Sequence, residues 1–320
     1  MPDKKTHQPS AKSMSWTRYW RSGFRDTCFF ADKTFSVAAD WRNFFSSAGK
    51  GAKIVDLATG NGAVAMIAAQ VNRDLHLEAS IVGVDFADIA PQELPATTEE
   101  PLQNITFIGN TDLADLPFQD AQFDLASSQF GFEYAEQSGS LSELKRVLKP
   151  GGQVRLLIHA TEGAVHEASV QRLRRARSML ESGQILPLLE ELAKAVNSSA
   201  KTRIPKIQKR IMTKVGQVQR KFGQLPKDDL VLELCSEAQM FVNAAGKVPA
   251  SEFVAKIRHL SEEVRAYTLR LHAMQSAART SVQMQALCEA ANTIGFQQSR
   301  FTAYNVEDQQ VGWVFHTQVI

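Results

Sequence analysis

Residues 55–63 read Val-Asp-Leu-Ala-Thr-Gly-Asn-Gly-Ala, an apolar run that ends in an acid and a glycine turn and then enters a helix-forming stretch. Gly60 and Gly62 open backbone conformations with positive φ and let a ligand approach the main chain closely. With Ala65 they also fit the spacing of a dinucleotide fingerprint, so the glycines alone do not choose a ligand. Asp56 does choose. It stands beside the place where a dinucleotide would put its pyrophosphate, and a carboxylate there repels phosphate oxygens while attracting a ligand with cationic groups. A second apolar run closes Val82-Gly83-Val84-Asp85, with Asp85 23 positions after Gly62 (85 − 62). An acid at that point can accept hydrogen bonds from both hydroxyls of a ribose. Two plainer readings stay open: Asp56 as a turn or capping residue, and Asp85 as a loop acid.

A third group of residues could act on whatever lies beside that ligand. The run Ser128-Gln129-Phe130-Gly131-Phe132-Glu133-Tyr134 follows a fourth apolar segment, and His159 follows a fifth. In an open parallel sheet ligands bind at the carboxyl ends of the strands, so these residues face the same crevice as Asp56 and Asp85. His159 is the expected base, because an imidazole titrates near neutrality. Tyr134 and Glu133 are further catalytic candidates, and Phe130 and Tyr134 are expected to wall the reacting site. The alternatives are a His159 bonded to a backbone carbonyl, aromatics that are core, and a Glu133 that is a solvated acid at a helix start.

The elements that must position these residues alternate in type. Short β-rich runs at 53–57, 80–85, 105–109, 123–127 and 153–158 are separated by amphipathic stretches, among them 63–71 and 141–148, which predicts a parallel sheet with crossover helices. Lys149-Pro150-Gly151-Gly152 supplies a helix stop and a turn before the fifth strand. From 162 to 294 the periodicity is helical with almost no strand signal. The segments 296–305 and 310–318 then alternate around Glu307-Asp308 as an antiparallel hairpin. The expected fold is a doubly wound α/β sheet with an antiparallel terminal hairpin and a large helical insertion after the fifth strand. Four regions follow: a tail and aromatic segment (1–33), a ligand-binding sheet domain (34–160), a helical insertion acting as a cap (161–278), and a last helix and hairpin (279–320).

The order VDLATGNG, VGVD, DLADLPFQDAQFD and LKPGG resembles the class I S-adenosylmethionine (SAM) dependent methyltransferases, which have a Rossmann-like sheet. The LATGNG turn is most similar to the ubiquinone and menaquinone C-methyltransferase branch. The resemblance covers roughly residues 50–160. It implies SAM as cofactor, a ligand that carries an ammonium and a sulfonium and no phosphate, in agreement with Asp56. It also implies that Asp56, Ala58, Gly60 and Gly62 face the methionine part and that Asp85 takes the ribose, with Phe86 beside it. Asp112 and the Leu113 N–H would contact the adenine, and Gln129 would complete the cofactor side. Ala58 stands where many relatives have glycine, which is acceptable if its φ stays negative. The quinone branch has no helical block of this size here, so the resemblance does not extend to the acceptor.

Composition narrows the rest. The 36 basic and 34 acidic residues give a net charge of +2, which argues against a chain-wide polyanion-binding surface. Cys28, Cys235 and Cys288 lack CxxC spacing, so neither a zinc site nor a disulfide framework is expected, and a cytoplasmic location follows by default. No run is long and apolar enough for a membrane span, and the polar N-terminus with Lys4 and Lys5 is not a signal peptide. The first dozen residues read as a disordered tail. Trp16, Tyr19 and Trp20 then share one helical face, either as core packing or as a lid over the pocket, with Phe24, Phe29 and Phe30 nearby.

Between Glu191 and Asp228 there is no acid, whereas Lys194, Lys201, Arg203, Lys206, Lys209, Arg210, Lys214, Arg220, Lys221 and Lys227 are basic. Ile204, Ile207, Ile211, Val215, Val218 and Phe222 recur at helical spacing and give this segment an apolar face. Its polar face is solvated surface, a contact for an anionic partner or membrane headgroups, or an RNA contact. The functions in competition are methylation of a small-molecule metabolite held under the helical cap, methylation of RNA or protein, and a non-catalytic SAM-binding subunit.

Overall fold

The computed structural model describes residues 10–24, 37–93, 100–198, 201–225 and 229–320. Lys4, Lys5, Cys28, Phe29, Phe30 and Lys227 lie outside the described residues. The chain forms two compact units, one made of the residues up to Glu167 together with Ala273–Ile320, the other of Ala168–His272.

The first unit is built on a seven-stranded sheet of order β3-β2-β1-β4-β5-β7-β6. Its strands are β1 (Lys53–Leu57), β2 (Ser80–Val84), β3 (Ile105–Ile108), β4 (Phe123–Gln129), β5 (Leu148–His159), β6 (Phe296–Val306) and β7 (Gln309–Val319). β1 to β5 are parallel, and β7 runs antiparallel between β5 and β6. The order reverses at β1, whose neighbours are β2 on one side and β4 on the other. This switch point is where an open α/β sheet opens a crevice for ligand. Val55, Leu57 and Val84 pack on one face and Ile54, Ile81 and Ile105 on the other, so the central strands are apolar on both sides, as buried parallel strands must be.

In chain order the helices of this unit begin with α1 (Ala11–Arg21), α2 (Val37–Phe45), α3 (Ala63–Asp74), the short α4 (Glu100–Gln103) and α5 (Gln137–Val147). Two sequence expectations move. The segment expected as tail already carries α1 from Ala11, because Ser10 caps it by accepting from the Ser13 N–H. Leu148 already pairs with Phe123, so β5 begins five residues early, and a register shift between Phe123 and Leu125 absorbs Lys149–Gly152.

After β5 come α6 (Ala164–Leu180), α7 (Ile185–Asn197), α8 (Ile204–Phe222), α9 (Leu230–Ala244), α10 (Ala250–Ala277) and α11 (Ser281–Thr293). The helical excursion leaves and returns at one point: Ala160 bridges Arg279, the Arg279 N–H donates to the His159 carbonyl, and the Thr161 N–H donates to that of Arg279. The Ala168–His272 unit has its own core, in which Ile207, Ile211, Val215 and Val218 of α8 pack with Leu189, Leu192, Leu234 and Phe253. Among the described residues no helix is long and apolar enough to cross a membrane, and no group of His, Cys, Asp and Glu side chains could hold a metal ion.

Candidate active site

The turn after β1 is shaped by three left-handed residues in five: Ala58 (φ 51°), Gly60 (φ 55°) and Gly62 (φ 83°). The condition of a negative φ, under which alanine would be acceptable at position 58, is therefore not met. The chain must reverse directly off the strand, and alanine tolerates this at a cost of about 1–2 kcal/mol. Gly60 is required for a further reason: a Cβ there would collide with the Trp20 indole of α1. The Gly60 N–H donates to Asp85 Oδ2 (2.8 Å) and the Ala87 N–H to Asp85 Oδ1 (2.8 Å), so Asp85 ties the turn after β1 to the loop after β2. Asp56 plays the matching part toward β4, accepting from Thr59 Oγ1 (2.6 Å) and Ser127 Oγ (2.7 Å). Burial pushes each of these two carboxyls up to about 6, against the hydrogen bonds that favour their charged forms.

A cavity of about 240 Å³ opens at these carboxyl ends. Asp56, Ala58, Asp85, Phe86, Asp112, Leu113 and Gln129 line it, and so does Tyr134. Gly60 and Gly62 shape the turn from behind without lining the cavity. Asp112 stands at its rim, its Oδ1 accepting from the Ala114 N–H, while Leu113 is buried. Gln129 is oriented by α2, because its Oε1 accepts from Trp41 Nε1 (2.7 Å) and its amide N–H₂ is left to donate.

Lys12, Trp16 and Trp20 of α1 form a further part of the lining. Trp16 stacks on Trp20 and meets the Tyr134 ring edge-on at 5.6 Å between centroids. Lys12 Nζ donates to the Tyr134 carbonyl (2.7 Å), and its partial burial lowers its pKa against the raising effect of Asp112. Ser13 Oγ donates to the Phe86 carbonyl, Thr17 Oγ1 accepts from the Asp88 N–H, and Asn61 Nδ2 donates to the carbonyls of Trp20 and Phe24. The aromatic face of α1 thus both packs, with Ala87 and Ile89, and roofs the cavity. The spacing of the aromatics signalled this. Lys12 carried no signal, because it fell in the stretch read as tail.

The residues expected to react are divided. Tyr134 reaches the cavity, whereas His159 and Glu133 do not line it. Both are buried, and His159 Nδ1 lies 2.6 Å from Glu133 Oε1, which also accepts from the His159 N–H. Phe130, at φ 53°, stacks on the imidazole at 4.3 Å and stands between it and the cavity that Phe130 itself lines. Glu133 is therefore no solvated helix-start acid. The short helical turn Phe132–Tyr134 buries Phe132 and Glu133 and leaves Tyr134 to line the cavity.

An α/β sheet with acids at the ends of β1 and β2 and a glycine turn at the switch point defines a domain that binds an adenosine-containing ligand. The comparisons narrow this further. Residues 54–152 match the family model described as a methyltransferase domain. The chain is 34% identical over 137 residues to a ubiquinone/menaquinone biosynthesis C-methyltransferase of Geotalea daltonii, covering 40% of this chain and 55% of that protein. It is 30% identical over 153 residues to a 2-phytyl-1,4-naphtoquinone methyltransferase of Nostoc, covering 46% and 62%. A SAM dependent methyltransferase from Aquifex aeolicus has a similar structure, with a TM-score of 0.34 and 19% identity, over 39% of this chain and 65% of that one. The chain thus spans little more than half the length of these curated relatives. Residues 54–152 thus match a methyltransferase domain and are similar in sequence to curated methyltransferases, a class that uses SAM as its cofactor.

Proposed function

We propose that the protein transfers a methyl group from SAM to a small-molecule acceptor. One observation carries this reading: a single cavity brings together Asp56, Asp85 and Asp112, from the ends of three successive strands, with an aromatic wall of Trp16, Trp20, Phe130 and Tyr134. The lining fits SAM. Its carboxylates suit a ligand whose periphery carries hydroxyl, amino and ammonium donors, and they would repel a pyrophosphate. When bound, SAM supplies a methyl group on a positively charged sulfur, already activated for in-line displacement.

The chain's own part is mainly positioning, which suffices for such a displacement without a covalent intermediate. Asp85 holds the ribose hydroxyls, Asp112 and the Leu113 N–H hold the adenine, and Phe86 flanks them. Asp56 and the backbone from Ala58 to Gly62 receive the methionine part, with the Gln129 amide donating to its carboxylate. Tyr134 and Phe130 wall the acceptor side and exclude water. His159 and Glu133 act through these two rings as positioning residues. The acceptors named in the relatives, a ubiquinone or menaquinone precursor and a phytyl naphthoquinone, favour a flat, apolar acceptor, as does the aromatic wall.

Calorimetry with SAM, S-adenosylhomocysteine and NAD tests the cofactor assignment, with binding expected for the first two alone. Asp85→Asn should weaken SAM by about 1.5–3 kcal/mol, the range for hydrogen bonds to a charged group. Saturable NAD binding without SAM binding would overturn the reading, and an unchanged SAM affinity in the variant would remove Asp85 from the ribose role.

A further inference from the structure

The cofactor reading leaves the basic helix α8 unused. Over its 19 residues, Ile204–Phe222, it carries six basic side chains and no acid, and it extends about 28 Å at the usual rise per residue. Its apolar residues are consumed by its own unit, since Ile207, Ile211, Val215 and Val218 are buried in the core of Ala168–His272. At 100° per residue Lys206, Lys209, Arg210, Lys214, Arg220 and Lys221 all fall on one arc of about 140°. All but the half-buried Lys214 are exposed. Among the described residues only Arg210 of these six forms an ion pair, with Glu191 of α7, which also meets Arg203 just before α8. Lys206, Lys209 and Lys214 form no ion pair among the described residues. Met212 is exposed beside the arc, at 42%.

We infer that this face docks the protein on a bilayer surface rich in anionic lipid headgroups. A row of fixed positive charge with no acid within it costs self-repulsion, and apart from the Arg210–Glu191 pair it returns no ion pair to the fold among the described residues, because the packing of α8 is supplied by its apolar face. Four to eight clustered Lys and Arg on an amphipathic helix are what an anionic leaflet attracts. Because the apolar face is already buried in the core, attachment is electrostatic and peripheral, without insertion of the helix. RNA fits this face less well. Single strands are held by aromatic side chains on which bases stack, and the helix offers only Phe222, half-buried and covered by the Lys221 ammonium.

Co-sedimentation of the full chain with phosphatidylcholine vesicles, with and without about one-third phosphatidylglycerol, tests this. Binding is expected to the anionic vesicles alone, falling at least tenfold when salt is raised from 0.1 to 0.5 M as the charges are screened. The quadruple change Lys206→Glu, Lys209→Glu, Arg210→Glu, Lys214→Glu should abolish it. A second variant, Lys206→Gln with Lys209→Gln, should weaken it severalfold and guards against misfolding of the first. SAM affinity, measured on the same samples, should be unchanged in both variants, so failure of the docking surface and failure of the cofactor reading are separable. No binding to anionic vesicles, equal binding to neutral ones, binding unaffected in both variants, or preferential salt-sensitive binding of total RNA would each overturn the proposal.

Discussion

The two walls of the cavity are built in opposite ways. On the β1–β2 side the groups that line the cavity follow one another along the chain: Asp56, Ala58 and then, 23 residues past Gly62, Asp85, whose oxygens hold the backbone of both loops. On the β4–β5 side the cavity is reached by Phe130 and Tyr134, and the groups with titratable chemistry, Glu133 and His159, pair with each other behind Phe130. The first wall is a backbone device, in which main-chain N–H groups and left-handed turn residues set the shape and the acids are held by them. The second is a packing device, in which rings are aimed by a buried polar pair. A mutation on the first wall should be felt by the cofactor, and one on the second by the fold and the acceptor.

His159→Ala gives the largest effect expected from this contrast. It removes the partner of a buried carboxylate and the ring on which Phe130 stacks, and breaking a buried pair in this way costs about 3–5 kcal/mol. Denaturant unfolding should show that loss, while SAM affinity changes little in the folded fraction. If turnover instead collapses with stability intact, His159 acts as a base on the acceptor and the two walls are alike in kind.

This contrast also decides what was legible in the sequence. β1 and the start of α3 stood at their expected positions, and Asp56, Asp85, Asp112 and Leu113 reached the cavity, because a glycine turn and an acid at a strand end are local features that dictate their own geometry. The positive φ of Ala58 was not legible, since alanine advertises no such conformation. The inward turn of His159 depends on Glu133, 26 residues away, and on Phe130, 29 residues away, and nothing local to β5 announces either. Lys12 was missed because a polar stretch beside a chain end resembles a tail until its serine cap is seen. In the Ala168–His272 unit the apolar stripe of α8 was legible and its basic face was too, but a pattern of charge names no partner.

Acidity should separate the walls more gently. Asp56 and Asp85 have carboxyls raised by burial from 3.8 to about 6, so the fold favours their protonated forms. The sign is opposite to that of Glu143, which the Arg146 hydrogen bond holds below its usual range and whose contribution is lost as pH falls. For Asp56 and Asp85 the favourable contribution is complete below about 4 and is lost as pH rises to about 6. Cofactor affinity runs the other way, because the ionised carboxylate is the better acceptor for ribose hydroxyls and the better partner for an ammonium. Between pH 7 and pH 5 the SAM affinity should fall about tenfold for each acid engaged, or about 1.4 kcal/mol. Calorimetry at three pH values measures it, and a dissociation constant constant over that range would detach both acids from the ligand.

The smallest effect expected lies on the roof that joins the two walls. α1 touches the first wall through Ser13 on Phe86, Thr17 on Asp88 and Trp20 on Gly60, and the second through Lys12 and Trp16 on Tyr134. Thr17→Val keeps the shape of the side chain and removes only the acceptor of the Asp88 N–H (2.9 Å). The freed N–H is at an exposed residue and can turn to water, so the loss should lie within about 0.5–1.5 kcal/mol. Arg21, paired with Asp88 and Glu93, and Asn61, bonded to the Trp20 carbonyl, still hold the helix. Dissociation of S-adenosylhomocysteine, followed in stopped flow by the emission of Trp16 and Trp20, should therefore quicken only severalfold, with the unfolding midpoint nearly unchanged. Adding Asn61→Ala should multiply the effect, because it releases the roof from the glycine turn itself. Were both variants to lose the product at the wild-type rate, α1 would be a packing helix of the first wall alone, and the cofactor would enter and leave without moving it.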